Sequence, residues 1–337
     1  MLKVAVLDDY SNLAWSSADW SPLDGVAEVT VFDRHLGEAE AVGILQPFDV
    51  LCTMRERMAF PARLLRALPN LKLVTIVGKS LSNFDMGAAT ELGILAVHPD
   101  FTNPRMAGNG NPPAEMTWAL ILAAVRQIGP SHKRILDGEW SVTPGVVLEG
   151  RTLGLLGLGN IGQRVASWGH AFGMEVIAWS ENLTTEAAAE HGVERVDKDE
   201  LFRRADVVSI GLVLSERTAG LVGSRELELM RPGSYLVNTS RAGIVDTAAL
   251  VEALRSGRLA GAGLDVFDEE PLPLDHPLRE VDTVTLTPHI GYGTRAVLSS
   301  FYTDLPEAIA AYAAGSPVRV INPEALGSPR HGAPAGG

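Results

Sequence analysis

The sequence predicts an α/β protein made of two doubly wound parallel-sheet domains. Three observations point there. The chain has 337 residues, more than a single hydrophobic core usually serves. Short β-branched runs alternate with helical patterns along nearly all of it, as the strands of a helix-covered parallel sheet do. The alternation also comes in two series, separated over 101–113 by a stretch rich in Asn, Gly and Pro that follows neither pattern.

In the first series, 4–7, 27–32, 49–53, 73–77 and 94–97 read as strands. Between them, 61–68 places Pro61 at a helix N1 position ahead of a Leu64, Leu65, Leu68 stripe, and 86–92 ends at Gly93. Both read as crossover helices. After the break, 115–128 reads as a helix that is apolar nearly all round (Met116, Trp118, Leu120, Ile121, Leu122, Val125) and so buried on several sides. The second series reads as strands over 152–156, 175–179, 206–213, 234–238, 261–266 and 283–287. A helical pattern follows over 295–314, and the Pro/Gly-rich tail 327–337 has little to bury and is expected to be mobile.

Composition excludes several classes. With 46% hydrophobic and 20% charged residues, the chain is neither disordered nor fibrous. Its single cysteine, Cys52, has no internal disulfide partner, which suits a reducing, cytoplasmic setting. A net charge of −13 opposes binding to a phosphate backbone, so nucleic acid is not an expected partner. The N-terminus carries only Lys3 before Asp8 and Asp9 and reads as a strand rather than a signal peptide. The most apolar window, 119–125, is far shorter than the roughly 20 residues of a membrane span. The expected partner is a small molecule.

The run Gly157-Leu-Gly159-Asn160-Ile161-Gly162 follows an apolar strand and opens a helix over 163–171. Each glycine has a distinct task in a dinucleotide-binding turn. Gly157 makes the tight turn, Gly159 lets the backbone approach a pyrophosphate, and Gly162 lets the helix pack on the strand, with the helix N-terminus aimed at negative charge. A GxGxxG alone is weak, but here the preceding strand, the following helix and a second strand ending near Ser180 all fall where the fingerprint requires. The position that usually reads the adenosine ribose holds Ser180, followed by Glu181 and Asn182. No Lys or Arg lies between Arg164 and Arg195, so a 2′-phosphate would meet Glu181 and Glu186 without a cation. NAD is expected over NADP.

Three later segments each end a strand of the second series: Asn238-Thr-Ser-Arg241, the acidic run from Asp265 to Glu270, and Thr287-Pro-His289-Ile-Gly291. Open α/β sheets present the carboxyl ends of their strands to the ligand. An Arg, a Glu and a His are thereby delivered to one edge. Arg241 offers a planar fork for a carboxylate and an adjacent carbonyl. His289 can give a proton to a carbonyl oxygen as hydride arrives, and take it back in the other direction. Glu270 beside the imidazole would favour its charged form, and Asp265 would accept a hydrogen bond from a nicotinamide carboxamide. No covalent intermediate and no metal are needed. Singly, each residue has a bland alternative as a surface ion pair, an acidic loop or a strand-end histidine; their order after the fingerprint favours the catalytic reading.

These motifs resemble those of the D-isomer-specific 2-hydroxyacid dehydrogenases, over essentially the whole chain. The resemblance implies hydride transfer between NAD(H) and C2 of a small 2-hydroxy or 2-oxo acid, with catalytic Arg241, Glu270 and His289, in a homodimer. It implies a Rossmann NAD-binding domain (104–290) inserted into a split flavodoxin-like substrate domain (1–103 and 291–326), with 327–337 as the tail. It places Gly157, Gly159, Asn160, Ile161, Gly162, Ser180, Glu181, Val213, Thr218, Thr239, Asp265 and Gly291 around the cofactor. It places Arg55, Val77, Gly78, Lys79 and Tyr292 around the substrate, partly through backbone N–H groups of the loop 77–80. Arg57 is a further candidate, with an exposed Arg–Glu–Arg ion pair over 55–57 as the alternative.

Tyr292 stands where relatives carry a small residue, and is expected to shape the acyl pocket. No regulatory domain of the kind some phosphoglycerate dehydrogenases carry is expected. Two other readings share the fold. Formate dehydrogenases have Gln at the position of Glu270, which argues against that branch. Co-repressors of the same family bind the dinucleotide without significant turnover, and an activity assay separates them from an enzyme.

Overall fold

The computed structural model describes residues 1–55, 57–77, 83–100, 111–140 and 144–328. The chain divides into two units, one formed by Met1–Asn109 with Thr294–Gly337 and the other by Gly110–Gly293. Each is built on a wholly parallel sheet, as the fold class read from the sequence requires.

The first unit holds β1 (Leu2–Val6), β2 (Ala27–Val31), β3 (Val50–Met54), β4 (Leu73–Val77) and β5 (Leu95–Val97), in the order β2-β1-β3-β4-β5. Every residue of β3 and β4 is buried, which explains why these strands read as unbroken apolar runs and not as alternating ones. The chain returns to this unit at its far end. Asn322 accepts from Ala96 N at 2.7 Å and donates to Ile94 O at 2.9 Å, and Val320 bridges Val97 antiparallel. Tyr302 donates its hydroxyl to buried Asp9 at 2.8 Å.

The helix expected over 295–314 is two, Arg295–Thr303 and Leu305–Ala313. Pro306 has no N–H to continue the first helix, yet it fits the first turn of the second. The tail expected to be mobile lies outside the described residues from 329 onward.

The second unit holds β6 (Thr152–Leu156), β7 (Glu175–Trp179), β8 (Glu194–Arg195), β9 (Val207–Ile210), β10 (Ser234–Asn238), β11 (Leu259–Leu264) and β12 (Val284–Leu286), in the order β12-β11-β10-β9-β6-β7-β8. Successive strands run outward in opposite directions from the β6/β9 pair. That is the switch point at which doubly wound sheets leave a crevice.

The helix expected over 115–128 spans Pro112–Val125. Pro112 and Pro113, read from the sequence as linker, occupy its first turn, where a missing N–H costs nothing, and Asn111 caps it through Ala114 N. The helix buries Trp118, Leu120, Ile121, Ala124 and Val125 in one core with strand residues Leu153, Val207 and Val237. The rest of the break, 101–110, lies outside the described residues.

Candidate active site

All seven strands of the second sheet run parallel, so the segments that follow them share its carboxyl edge. At the switch point, β6 turns through Gly157, whose φ of 105° lies in the glycine-favoured region. A Cβ there would lie 2.8 Å from the carbonyl oxygen of Gly211, the residue after β9. A Cβ on Gly162 would run into the carbonyl oxygen of Gly157. These two glycines therefore close the turn and seat the helix Asn160–Ala171 against it.

Gly159 behaves differently. Among the described residues, an added Cβ would meet nothing within 4 Å, and no side chain caps the helix that begins at Asn160. Gly159, Asn160 and Ile161 are all exposed. The turn thus offers open space directly over uncapped backbone N–H groups and the positive end of a helix dipole, which is what a pyrophosphate requires.

The catalytic candidates follow the strands on the other side of the switch. His289 Nδ1 lies 2.7 Å from Glu270 Oε2, and Phe267 N donates to Glu270 Oε1 at 3.0 Å. The carboxylate is thereby fixed from behind while it holds the ring, and both side chains remain partly accessible. Tyr292 stands edge-on to the imidazole, with ring centroids 6.1 Å apart. His289 itself has φ 51°, a left-handed conformation that costs a non-glycine residue roughly 1–2 kcal/mol and persists only where its surroundings enforce it.

Asp265 supplies that enforcement. It is 1% exposed and accepts from Thr287 Oγ1 at 2.5 Å, Ile290 N at 2.9 Å and Gly291 N at 2.7 Å. Burial pushes its carboxyl above the ordinary carboxylate value, and these bonds together with His289 offset part of the effect. The sequence reading sets this carboxylate at the nicotinamide end of the cofactor; in the structure both of its oxygens bond the histidine loop. Gly291 is needed for the approach: a Cβ there would lie 2.9 Å from Asp265 Oδ2.

Arg241 follows β10 and is half-buried, with its Nη1 donating to Ser240 O at 2.8 Å. Its backbone is held by Asn238, which donates from Nδ2 to Arg241 O and accepts from Ser240 N, each at 3.0 Å. Asn238, Thr287 and the Phe267 N–H were not singled out in the sequence. The first two stand inside the quoted motifs, and only their bonding separates them from their neighbours.

The remaining cofactor candidates line the same edge. Thr218 closes the loop after β9, donating to Val213 O at 2.7 Å and accepting from Ser215 N at 2.8 Å, and Val213 is 83% exposed. Thr239 Oγ1 lies 2.6 Å from Thr117 Oγ1 on the helix Pro112–Val125. Ser180 is half-buried and Glu181 exposed. The two-residue strand β8 brings Arg195 beside β7, opposite Ala178. That cation was out of range in the sequence, and its guanidinium sits 3.4 Å from Asp197.

The substrate candidates of the first unit are placed as follows. Arg55 follows β3 with φ 54° and donates its N–H to Val77 O at 3.0 Å. Val77 is wholly buried, so its side chain belongs to the core. Gly78, Lys79 and Ser80 lie outside the described residues. Arg57 packs its guanidinium 4.5 Å from the centre of the Tyr10 ring and donates to Asp8 O at 2.5 Å.

Comparison with known proteins agrees with this geometry. Residues 118–291 match the family described as D-isomer specific 2-hydroxyacid dehydrogenase, NAD binding domain. The chain is 40% identical over 273 residues to a glyoxylate reductase of Aeropyrum pernix, covering 78% of this chain and 80% of that protein. It is 37% identical over 268 residues to a D-3-phosphoglycerate dehydrogenase of Archaeoglobus fulgidus, covering 79% of this chain but only half of that longer protein. The crystal structure of a phosphoglycerate oxidoreductase from Vibrio cholerae superposes with a TM-score of 0.83 at 34% identity, covering 93% of this chain and 99% of the other. The protein belongs to the D-isomer-specific 2-hydroxyacid dehydrogenase family and is an NAD-dependent oxidoreductase.

Proposed function

We infer that the protein reduces a small 2-oxo acid to the D-2-hydroxy acid, with His289 as general acid and base. The observation that carries this reading is the His289–Glu270 pair at 2.7 Å on the same sheet edge as the glycine turn of the dinucleotide site. When bound, NADH supplies hydride to C2. His289 Nε2 donates the proton that the carbonyl oxygen gains and recovers it in the oxidative direction. Glu270 orients the ring through Nδ1 and supports the positive charge that the ring carries before donation. Arg241 binds the substrate carboxylate and polarises the neighbouring carbonyl.

The substrate class is glyoxylate or hydroxypyruvate. Tyr292, edge-on to the imidazole at 6.1 Å between ring centroids, supports a small acyl group as the expected occupant beside His289. Glyoxylate reductases are also among the relatives that this chain matches along most of their length. NAD is the preferred cofactor: Glu181 and Asp197 flank the end of β7, and Arg195 is paired with Asp197.

A homodimer is the assembly that the family resemblance implies, and exposed apolar side chains of the second unit, Leu136 at 73%, Trp140 at 91% and Val147 at 74%, are of the kind that a subunit interface covers. A cytoplasmic setting is consistent with the one cysteine being an unpaired, buried thiol.

The test is oxidation of NADH and NADPH, followed by absorbance, with glyoxylate, hydroxypyruvate, pyruvate, oxaloacetate and bulkier aryl 2-oxo acids. Turnover that is fastest with NADH and with glyoxylate or hydroxypyruvate is expected. Tight NADH binding with no turnover of any acid would replace this reading with that of a dinucleotide sensor.

A further inference from the structure

The geometry points to Asn238 and Asp265 as a buried brace that sets Arg241 and His289 relative to one another, so that both act as positioning residues for the reaction. This inference rests on the roles of Arg241 and His289 proposed above.

The brace is continuous. Asn238 ends β10, and its carbonyl oxygen accepts from Asp265 N at 3.0 Å, joining the residue at the end of β10 to the one after β11. From Asn238 the side chain reaches the other way and grips the backbone on both sides of Ser240, fixing Arg241 O. From Asp265 the carboxylate takes the two N–H groups that follow His289. Thr287 closes the loop from its near side, donating its hydroxyl to Asp265 and accepting His289 N at 2.9 Å through its carbonyl oxygen.

Asn238 is 2% and Asp265 1% exposed. Buried polar groups with this many bonds hold one arrangement, because any other would leave a donor or acceptor unpaired away from water. The left-handed His289 cannot keep its conformation by itself. Its imidazole is therefore only as well placed as the carboxylate that anchors the two residues after it.

The two arms predict different kinetic signatures. Asn238→Asp keeps the acceptor for Ser240 N but sets an oxygen against Arg241 O, so it loosens the arginine arm alone. Asp265→Asn keeps the shape but sets an N–H group against one of its backbone donors, so it loosens the histidine arm. Loss of positioning by about an ångström lowers rates by up to roughly a hundredfold.

The experiment is a pair of double-mutant cycles read as kcat and KM with glyoxylate and NADH, beside NADH affinity by fluorescence titration and the melting temperature. Arg241→Ala and His289→Ala must each reduce turnover sharply; if they do not, it is the reading of the site that fails. Given that loss, Asn238→Asp is expected to raise KM about tenfold in the natural background and to change nothing further in Arg241→Ala. Asp265→Asn is expected to lower kcat about ten- to a hundredfold, and to change nothing further in His289→Ala. Effects that add in either background would overturn the brace. Should Asp265→Asn fail to fold, Thr287→Val removes one bond to the same carboxylate, and its effect must likewise vanish in His289→Ala.

Discussion

His289 Nδ1 lies 2.7 Å from Glu270 Oε2, and Glu270 Oε1 is itself held by Phe267 N at 3.0 Å. One ring nitrogen is committed to the carboxylate, which leaves Nε2 to exchange a proton. Glu270→Gln keeps the shape and removes the charge that supports an imidazolium. We expect kcat for 2-oxo acid reduction to fall by about 10- to 100-fold, with NADH affinity unchanged. Steady-state kinetics beside a fluorescence titration of NADH checks this, and an unaltered kcat would mean that the pair is only structural.

The glycines of the turn separate folding from binding. Gly162→Ala drives a methyl into the Gly157 carbonyl, and the strand–helix packing must shift to relieve it. A loss of about 1–3 kcal/mol of stability is expected, visible in chemical denaturation. Gly159→Ala meets no atom of the described residues and is expected to melt like the natural chain while binding NADH at least tenfold more weakly. If Gly159→Ala binds NADH normally, the pyrophosphate does not lie over this turn.

Cofactor choice turns on the end of β7. NADH is expected to exceed NADPH in kcat/KM, and Glu181→Arg to narrow the difference by giving a 2′-phosphate a cation in place of a carboxylate. Measuring kcat/KM with both cofactors for the two proteins decides it. A natural preference for NADPH would mean that Arg195 leaves Asp197 to take the phosphate.

Cys52 is buried in β3, and burial pushes its thiol up to about 12. A folded-state value raised in this way keeps the thiol protonated well above neutral pH, where an unfolded chain would already ionise it. Little alkylation by iodoacetamide is expected in the native protein at pH 8.5, and rapid alkylation in denaturant. Mass spectrometry after a timed quench reads the difference, and equal rates would show that β3 is open to solvent.

How far the sequence carried depended on the scale of the feature. Strands such as Thr152–Leu156 and Ser234–Asn238 were legible to the residue, because a fully buried parallel strand leaves a largely apolar run. The strand Glu194–Arg195 was not, since a two-residue charged edge strand carries no pattern of its own. It is defined by its pairing to β7, and with it the nearness of Arg195. The break between the last two helices lay in Pro306 but was hidden by the apolar periodicity on either side.

In the site, residue types and order pointed to Arg241, Glu270 and His289, because chemistry selects types, and the structure pairs the last two. The direction of the Asp265 carboxylate was not legible. A buried acid next to a histidine loop has several donors in reach, and only the backbone conformation, with His289 left-handed and two N–H groups turned inward, decides among them.

The central claim is that His289 moves the proton while other groups hold the cofactor. Its most direct test is single-turnover and steady-state reduction of glyoxylate by NADH in the natural protein and in His289→Ala. A kcat at least about 10²-fold lower is expected in the variant, with NADH affinity nearly unchanged. Undiminished turnover by His289→Ala would contradict it.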